Sequence, residues 1–313
     1  MNSVYIEITD VCNLNCSFCP CGKEPHRVRE FMGTELYEKC IREAETVAEI
    51  VYFHVLGEPT LHPGFGQFLK KLEQTSLKLN LTTNGTTISR VGKLILASPA
   101  VRQVNFSTHA YAELPQNDAL SHLQDVLDFC KMANAIRPDL YINLRLWNVG
   151  DAESNSWNET MLAKVNEAFG NAVNGAESGQ QISLEHFCSR HKSFNVTSRI
   201  YLHQDSRFEW PKLDERSECH PERSVSEVEG STNSIVSGTC HALDTHVAIL
   251  HDGRVVACCL DYSGQITLGN IAEQSFTEIL ESPTAKNLRE GFEKHELRHP
   301  LCQSCSFCKR FKC

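Results

Sequence analysis

The sequence predicts an α/β fold built around a parallel sheet. Three observations carry that expectation. From residue 3 to about 205, short apolar runs alternate with helical patterns, and such alternation means parallel pairing with right-handed crossovers. Several runs are apolar nearly throughout, as strands covered on both faces are. After Trp210 and Pro211 the alternation stops. About six strand–helix units fit either an open, doubly wound sheet or a curved partial barrel. In both, ligands gather at the C-terminal ends of the strands.

The strands read as Val4–Ile8, Ile50–Leu56, Leu77–Thr83, Val101–Ser107, Leu140–Trp147 and Ser198–His203. Helical patterns lie near 34–47, 65–75, 87–97, 118–136 and 157–170. Thr34 before Glu35, and Ser156 three residues before Glu159, read as helix starts. Residues 214–238 are rich in Ser, Glu and Arg and read as a flexible insertion, in which Cys219 and His220 are discounted as ligands. A small module then begins. Ala248 to Cys258 reads as a hairpin turning at Asp252 and Gly253. Helical stretches near 273–280 and 284–293 follow, and the end is Cys302-x2-Cys305-x2-Cys308-x4-Cys313. The chain thus divides into 1–213, 214–238 and 239–313.

Of 313 residues, 41% are apolar and 22% charged, an ordinary globular composition. A net charge of −9 argues against a nucleic-acid partner. No apolar run reaches membrane-spanning length, and the N-terminus does not read as a signal peptide. A soluble, cytoplasmic protein is expected. In that reducing compartment, 15 cysteines point to metal rather than disulfides. Cys40 and Cys130 fall in helical patterns and read as core packing.

The other thiols form two constellations. Cys12-x3-Cys16-x2-Cys19 lies on the loop leaving the first strand. Three thiolates are one short of the usual four around an iron–sulfur cluster or structural zinc, so one metal position is left for a group that is not protein. Cys240, Cys258, Cys302 and Cys305 make four ligands in a module too small for a generous core. Their spacing suits zinc and an iron–sulfur cluster alike. Cys259 is an alternative to Cys258, and Cys308 and Cys313 are left over.

The Cys12–Cys16–Cys19 loop, with the aromatic Phe18 before its last cysteine, resembles the signature of the radical S-adenosylmethionine superfamily. The resemblance covers nearly the whole chain outside 214–238. It implies a partial (β/α)6, TIM-like barrel with a [4Fe–4S] cluster on Cys12, Cys16 and Cys19, whose unique iron is chelated by the methionine part of S-adenosyl-L-methionine. Gly57-Glu58 at the second strand end resembles the family's Gly-Gly-Glu, with Leu56 in place of its first glycine, and is implied to meet the methionine ammonium. Asn84 and Ser107 end the next strands, the serine near the ribose. His109 stands where aspartate is more usual, and Arg145 stands where some relatives have a cation for the cofactor carboxylate. Cys240, Gly253-x4-Cys258 and Cys302-x2-Cys305 resemble the SPASM/twitch group, which implies an auxiliary [4Fe–4S] cluster and favours Cys258 over Cys259.

The implied activity is that of an oxidoreductase or modifying enzyme. It cleaves S-adenosylmethionine reductively to a 5′-deoxyadenosyl radical, which abstracts hydrogen from a substrate, with a flavodoxin- or ferredoxin-like protein as electron donor. Peptide or protein modification is expected ahead of dehydrogenation of an aminocyclitol-like alcohol. No leader-binding domain is seen at the N-terminus, so a peptide substrate would need a separate recognition partner. Two rivals are a non-enzymatic electron carrier, which has no use for a cofactor pocket, and a zinc-stabilised interaction module.

Overall fold

The structure, a computed structural model, describes residues 1–23, 29–170, 192–207, 209–211 and 236–308. Cys188, Cys219, His220, Cys313 and most of the 214–238 segment lie outside these. The strands are β1 (Ser3–Ile6), β2 (Ile50–Phe53), β3 (Lys78–Thr83), β4 (Val101–Phe106), β5 (Tyr141–Leu146), β6 (Ser193–Thr197), β7 (Ile200–Gln204), β8 (Val236–Ser237), β9 (His246–Ile249), β10 (Arg254–Val256), β11 (Thr267–Asn270) and β12 (Glu296–Leu297). The helices are α1 (Pro20–Lys23), α2 (Thr34–Glu45), α3 (Phe65–Leu72), α4 (Ile88–Ala97), α5 (Gln116–Ile136), α6 (Asn155–Phe169), α7 (Phe276–Leu280), α8 (Pro283–Glu293) and α9 (Pro300–Ser304).

β1, β2, β3, β4, β5 and β7 pair in that order, all parallel, and form the partial barrel core. Two features of the sheet escaped the sequence reading. β6 pairs antiparallel with β7 at one edge, after a turn in which Ser198 has φ 45°. At the other edge β9 pairs parallel with β1, with Ile6 opposite Ile249. The hairpin β9–β10 and then β11 therefore extend the barrel sheet to ten strands. Asp252 and Gly253 form the expected turn, and Gly253 takes φ 88°. At the end of the expected insertion, β8 pairs with β12.

The strands are less uniformly apolar than expected. β1, β2 and β5 alternate buried with half-buried residues. Helices cover only the outer face, where Tyr37 of α2 stacks on Phe68 of α3 at 3.9 Å between ring centres and Phe106 of β4 meets Phe129 of α5. The inner face carries Tyr5, Tyr52, Asn143 and Arg145, because it lines a lumen. Cys40 and Cys130 are fully buried in the core, as expected. The two expected caps are corrected. Thr34 is the first residue of α2 behind Gly33, and Ser156 lies inside α6 behind Ser154; neither Gly33 nor Ser154 makes a side-chain capping bond. Each helix start thus lies one or two residues before the position expected, the usual spread of helix boundaries.

Candidate functional site

The loop after β1 is tied down at both ends. Thr9 Oγ1 donates to the Glu30 carbonyl at 2.7 Å and accepts from the Val11 N–H. Cys19 N–H reaches the Cys16 carbonyl, and Gly22 N–H reaches that of Cys19, which curls the cysteines into a turn before Pro20 opens α1. The Glu113 carboxylate receives both the N–H and the hydroxyl of Ser17 at 2.6 and 2.7 Å. Beside them, the Phe18 ring lies 5.4 Å from His109 and 5.0 Å from the Arg207 guanidinium. Cys12, Cys16 and Cys19 border one cavity at the C-terminal ends of the parallel strands, about 1010 Å³ counted to its mouth. Burial pushes the Cys12 thiol up to about 11 and that of Cys16 to about 12. A buried thiol resists becoming a thiolate, and a bound cationic metal centre removes that resistance.

The facing wall comes from the next strand ends. Glu58 is buried, and its carboxylate is pinned from several sides. Oε1 accepts from the hydroxyls of Thr60 and Thr83 at 2.6 and 2.7 Å, and Oε2 from the Asn84 N–H at 2.6 Å. Burial raises its pKa, against the pull of those bonds. Gly57 takes φ 73°, and a Cβ there would lie 2.9 Å from Asp10 Cα with the Thr9 carbonyl closer still. Only glycine allows that approach. Asn84 donates to Asn13 at 2.9 Å, with its amide 3.9 Å from the Cys12 sulfur. Ser107 lines the cavity just past β4. The Arg145 guanidinium lies 4.5 Å from the centre of the Trp147 ring. Burial lowers Arg145 to about 10, offset by Tyr5 and Tyr52, so it stays a cation at neutral pH. His54 and His109 also face this space, and burial holds them neutral, at about 3 and about 4.

The C-terminal thiols surround a second, smaller space. Cys240, Cys258, Cys302 and Cys305 line it, with Cys308 as a fifth. The rest of its wall is apolar, from residues such as Ala242, Ile266, Phe292 and Leu301. Cys258 and Cys259, just past β10, meet different neighbours. Cys258 faces the other thiols, whereas Cys259 hydrogen-bonds Tyr5 and packs in a cluster that touches Cys12 and Cys19. Burial raises the Cys258 thiol strongly, and with it Cys240 and Cys302.

Two family models match the chain. The radical SAM superfamily model covers residues 6–145, and the SPASM iron–sulfur cluster-binding domain covers 240–309. The chain belongs to the radical SAM superfamily. Its radical SAM domain implies a [4Fe–4S] cluster and S-adenosylmethionine, and its SPASM domain implies auxiliary iron–sulfur clusters. The residues present fit those groups. Among the described residues, no three His, Cys, Asp or Glu side chains converge as a single metal ion requires; the thiols border spaces instead, as a wider cluster needs.

One relative is a tungsten-containing aldehyde ferredoxin oxidoreductase cofactor-modifying protein of Pyrococcus furiosus, 32% identical over 126 residues. The match spans 39% of this chain and 35% of that protein. SuiB of Streptococcus suis, bound to S-adenosylmethionine, shares the fold with a TM-score of 0.56 and 17% identity over 98% of this chain and 71% of its own. The enzyme anSMEcpe with bound AdoMet and the Cp18Cys peptide does so with a TM-score of 0.53 and 16% identity over 98% and 87%.

The first cavity brings together every cofactor residue expected from sequence: Phe18, Gly57, Glu58, Asn84, Ser107 and Arg145. His62, by contrast, packs on Phe68 and bonds the Met32 carbonyl, away from the site. The sequence reading missed Trp147, Arg207 and Trp210, which also line the cavity. No local pattern marks them, and only the barrel closure brings them in. Among the described residues, no helix is long and apolar enough to cross a membrane.

Proposed function

We propose that this radical SAM protein modifies peptide or protein side chains, and that it does so in the cavity bordered by Cys12, Cys16 and Cys19. The observation that carries the reading is the convergence of those three thiols with a pinned carboxylate and a buried cation. When bound, the cluster and S-adenosylmethionine supply a 5′-deoxyadenosyl radical able to remove a hydrogen atom from substrate.

Cys12, Cys16 and Cys19 would hold the first cluster, one ligand short of a full set. The Gly57 backbone and the Glu58 carboxylate accept the cofactor's ammonium protons. Thr60, Thr83 and the Asn84 N–H keep that carboxylate from turning away. Arg145, braced by Trp147, pairs with the cofactor carboxylate, while Asn84 and Ser107 orient its ammonium end and ribose. Phe18, His109 and Trp147 exclude water from the reacting centre. Cys240, Cys258, Cys302 and Cys305 would hold an auxiliary cluster, and if all four of its irons take protein thiolates it would suit electron transfer better than substrate binding. A flavodoxin- or ferredoxin-like donor would supply the reducing electron.

The peptide reading draws support from anSMEcpe, a protein of like fold that binds a peptide beside AdoMet. The test is anaerobic reconstitution, then dithionite and S-adenosylmethionine with a deuterated peptide digest or with deuterated cyclitol alcohols. Deuterium carried into 5′-deoxyadenosine from the digest alone supports peptide modification. Transfer only from the alcohols overturns it, and absence of 5′-deoxyadenosine from well-loaded protein sinks the enzyme reading itself.

A further inference from the structure

The turn Leu56–Glu58 is hung from β1 and the loop behind it. Glu58 N–H bonds the Val11 carbonyl at 2.8 Å, and Gly57 rests on the backbone of Thr9 and Asp10. The third attachment is a side chain: Glu7 Oε2 accepts the Leu56 N–H at 2.9 Å. Glu7's other oxygen, Oε1, meets His251 Nδ1 at 2.9 Å, and the two side chains are 0% and 10% exposed. His251 belongs to the turn of the β9–β10 hairpin in the C-terminal module. Leu56 is tied to that hairpin a second time, because its side chain packs in a cluster with Ala248, Leu250 and Val256. A buried ion pair adds little net stability over apolar packing, because desolvation of both charges offsets their attraction. What this pair does supply is register between two parts of the molecule.

We infer that Glu7 and His251 are a positioning pair through which the C-terminal hairpin holds the cofactor-binding turn Leu56–Glu58, so that the module sets the barrel's affinity for S-adenosylmethionine. The inference rests on the proposed role of Gly57 and Glu58. Remove His251, and Glu7 is left as a buried carboxylate with one partner fewer. It then swings toward water or another donor, and the Leu56 N–H loses its anchor. Neither residue touches the cofactor in this account.

The experiment uses the full chain, reconstituted anaerobically, and reads equilibrium binding of S-adenosylmethionine without reductant alongside iron and sulfide content. His251→Ala is expected to bind about tenfold more weakly, the scale of one lost hydrogen bond to a charged group. Its iron content is expected to match wild type. In steady state, KM for S-adenosylmethionine rises while kcat for 5′-deoxyadenosine release changes little. His251→Asn puts an amide N–H where Nδ1 stands and should restore affinity to within about twofold. If His251→Ala loses iron, His251→Leu replaces it as the test; Leu fills the site without an N–H for Glu7 and is likewise expected to weaken binding about tenfold. Wild-type affinity in the variant tested, or an Asn variant as weak as Ala, overturns the pair's role. Failure of wild-type protein to bind S-adenosylmethionine would instead strike the cofactor site itself.

Discussion

The two thiol sites differ in what surrounds the sulfurs. At the barrel mouth, the three cysteines of the loop and Cys21, whose thiol donates to the Asp10 carbonyl at 3.8 Å, share a broad open cavity with Glu58, Arg145, two neutral histidines and Trp147. In the C-terminal module, five cysteines enclose a smaller space whose remaining wall is apolar. The first site has three thiols on the signature loop, a fourth engaged by the Asp10 carbonyl, and polar groups to spare. The second has thiols to spare and, among the described residues, no polar side chain in its lining with which to hold a substrate. An incomplete ligand set is a place for chemistry, and a complete one in an apolar shell is a place for structure or electrons.

The sharpest break of this contrast is Cys12→Ala. It should abolish 5′-deoxyadenosine formation and remove about four of roughly eight irons per chain, with the remainder held in the module. Retained cleavage of S-adenosylmethionine would mean that the three-thiol loop is not the reactive site. Next comes the choice between adjacent cysteines. Cys258→Ala should lose about half the iron, whereas Cys259→Ala, whose thiol faces Tyr5, should retain it. Iron and sulfide assays on the two variants check this directly, and equal losses would erase the distinction drawn between them.

Much of the first site was legible in the sequence because its parts sit at strand ends in fixed order. Cys12, Gly57, Asn84, Ser107 and Arg145 each follow or close a successive parallel strand, and a parallel sheet brings such positions to one edge. The rest depends on long-range pairing. That β9 joins β1, and that Glu7 thereby meets His251, follows from no local pattern; the partners are separated by some 240 residues of chain. Cys308 was left over in the sequence because C-x2-C pairs suffice for four ligands. The fold nevertheless turns it into the thiol space, where its S–H donates to the Cys305 carbonyl at 2.9 Å.

A smaller perturbation tests the barrel mouth without touching a ligand. Gly57→Ala forces a side chain onto a backbone at φ 73° and into Thr9 and Asp10. The strain alone is ~1–3 kcal/mol, and the clash adds to it. Binding of S-adenosylmethionine should fall by at least about a hundredfold, read by equilibrium dialysis, while the module's iron stays in place. In the module, Gly253→Ala also meets a positive φ, 88°, but lies in a hairpin turn away from the cavity. It should lower stability, at a strain cost of ~1–3 kcal/mol, read in anaerobic denaturant titrations.

The mildest effect probes the tie between the two regions through pH. Burial alone would lower the pKa of His251, but its bond to Glu7 and the charges of Glu7, Asp10 and Asp252 leave it raised. The folded imidazole therefore keeps its proton to higher pH than in the unfolded chain, where its pKa is about 6.5. Stability from the charged pair is fully present below that value and is lost as pH rises through the folded pKa. Replacing His251 by Asn keeps the hydrogen bond and removes the titration. Wild type should accordingly exceed His251→Asn in unfolding free energy at mildly acid pH. The gap should close toward alkaline pH in anaerobic denaturant titrations. A gap that stays constant with pH would show a neutral imidazole, and the link between module and barrel would then rest on hydrogen bonding and the Leu56 packing alone.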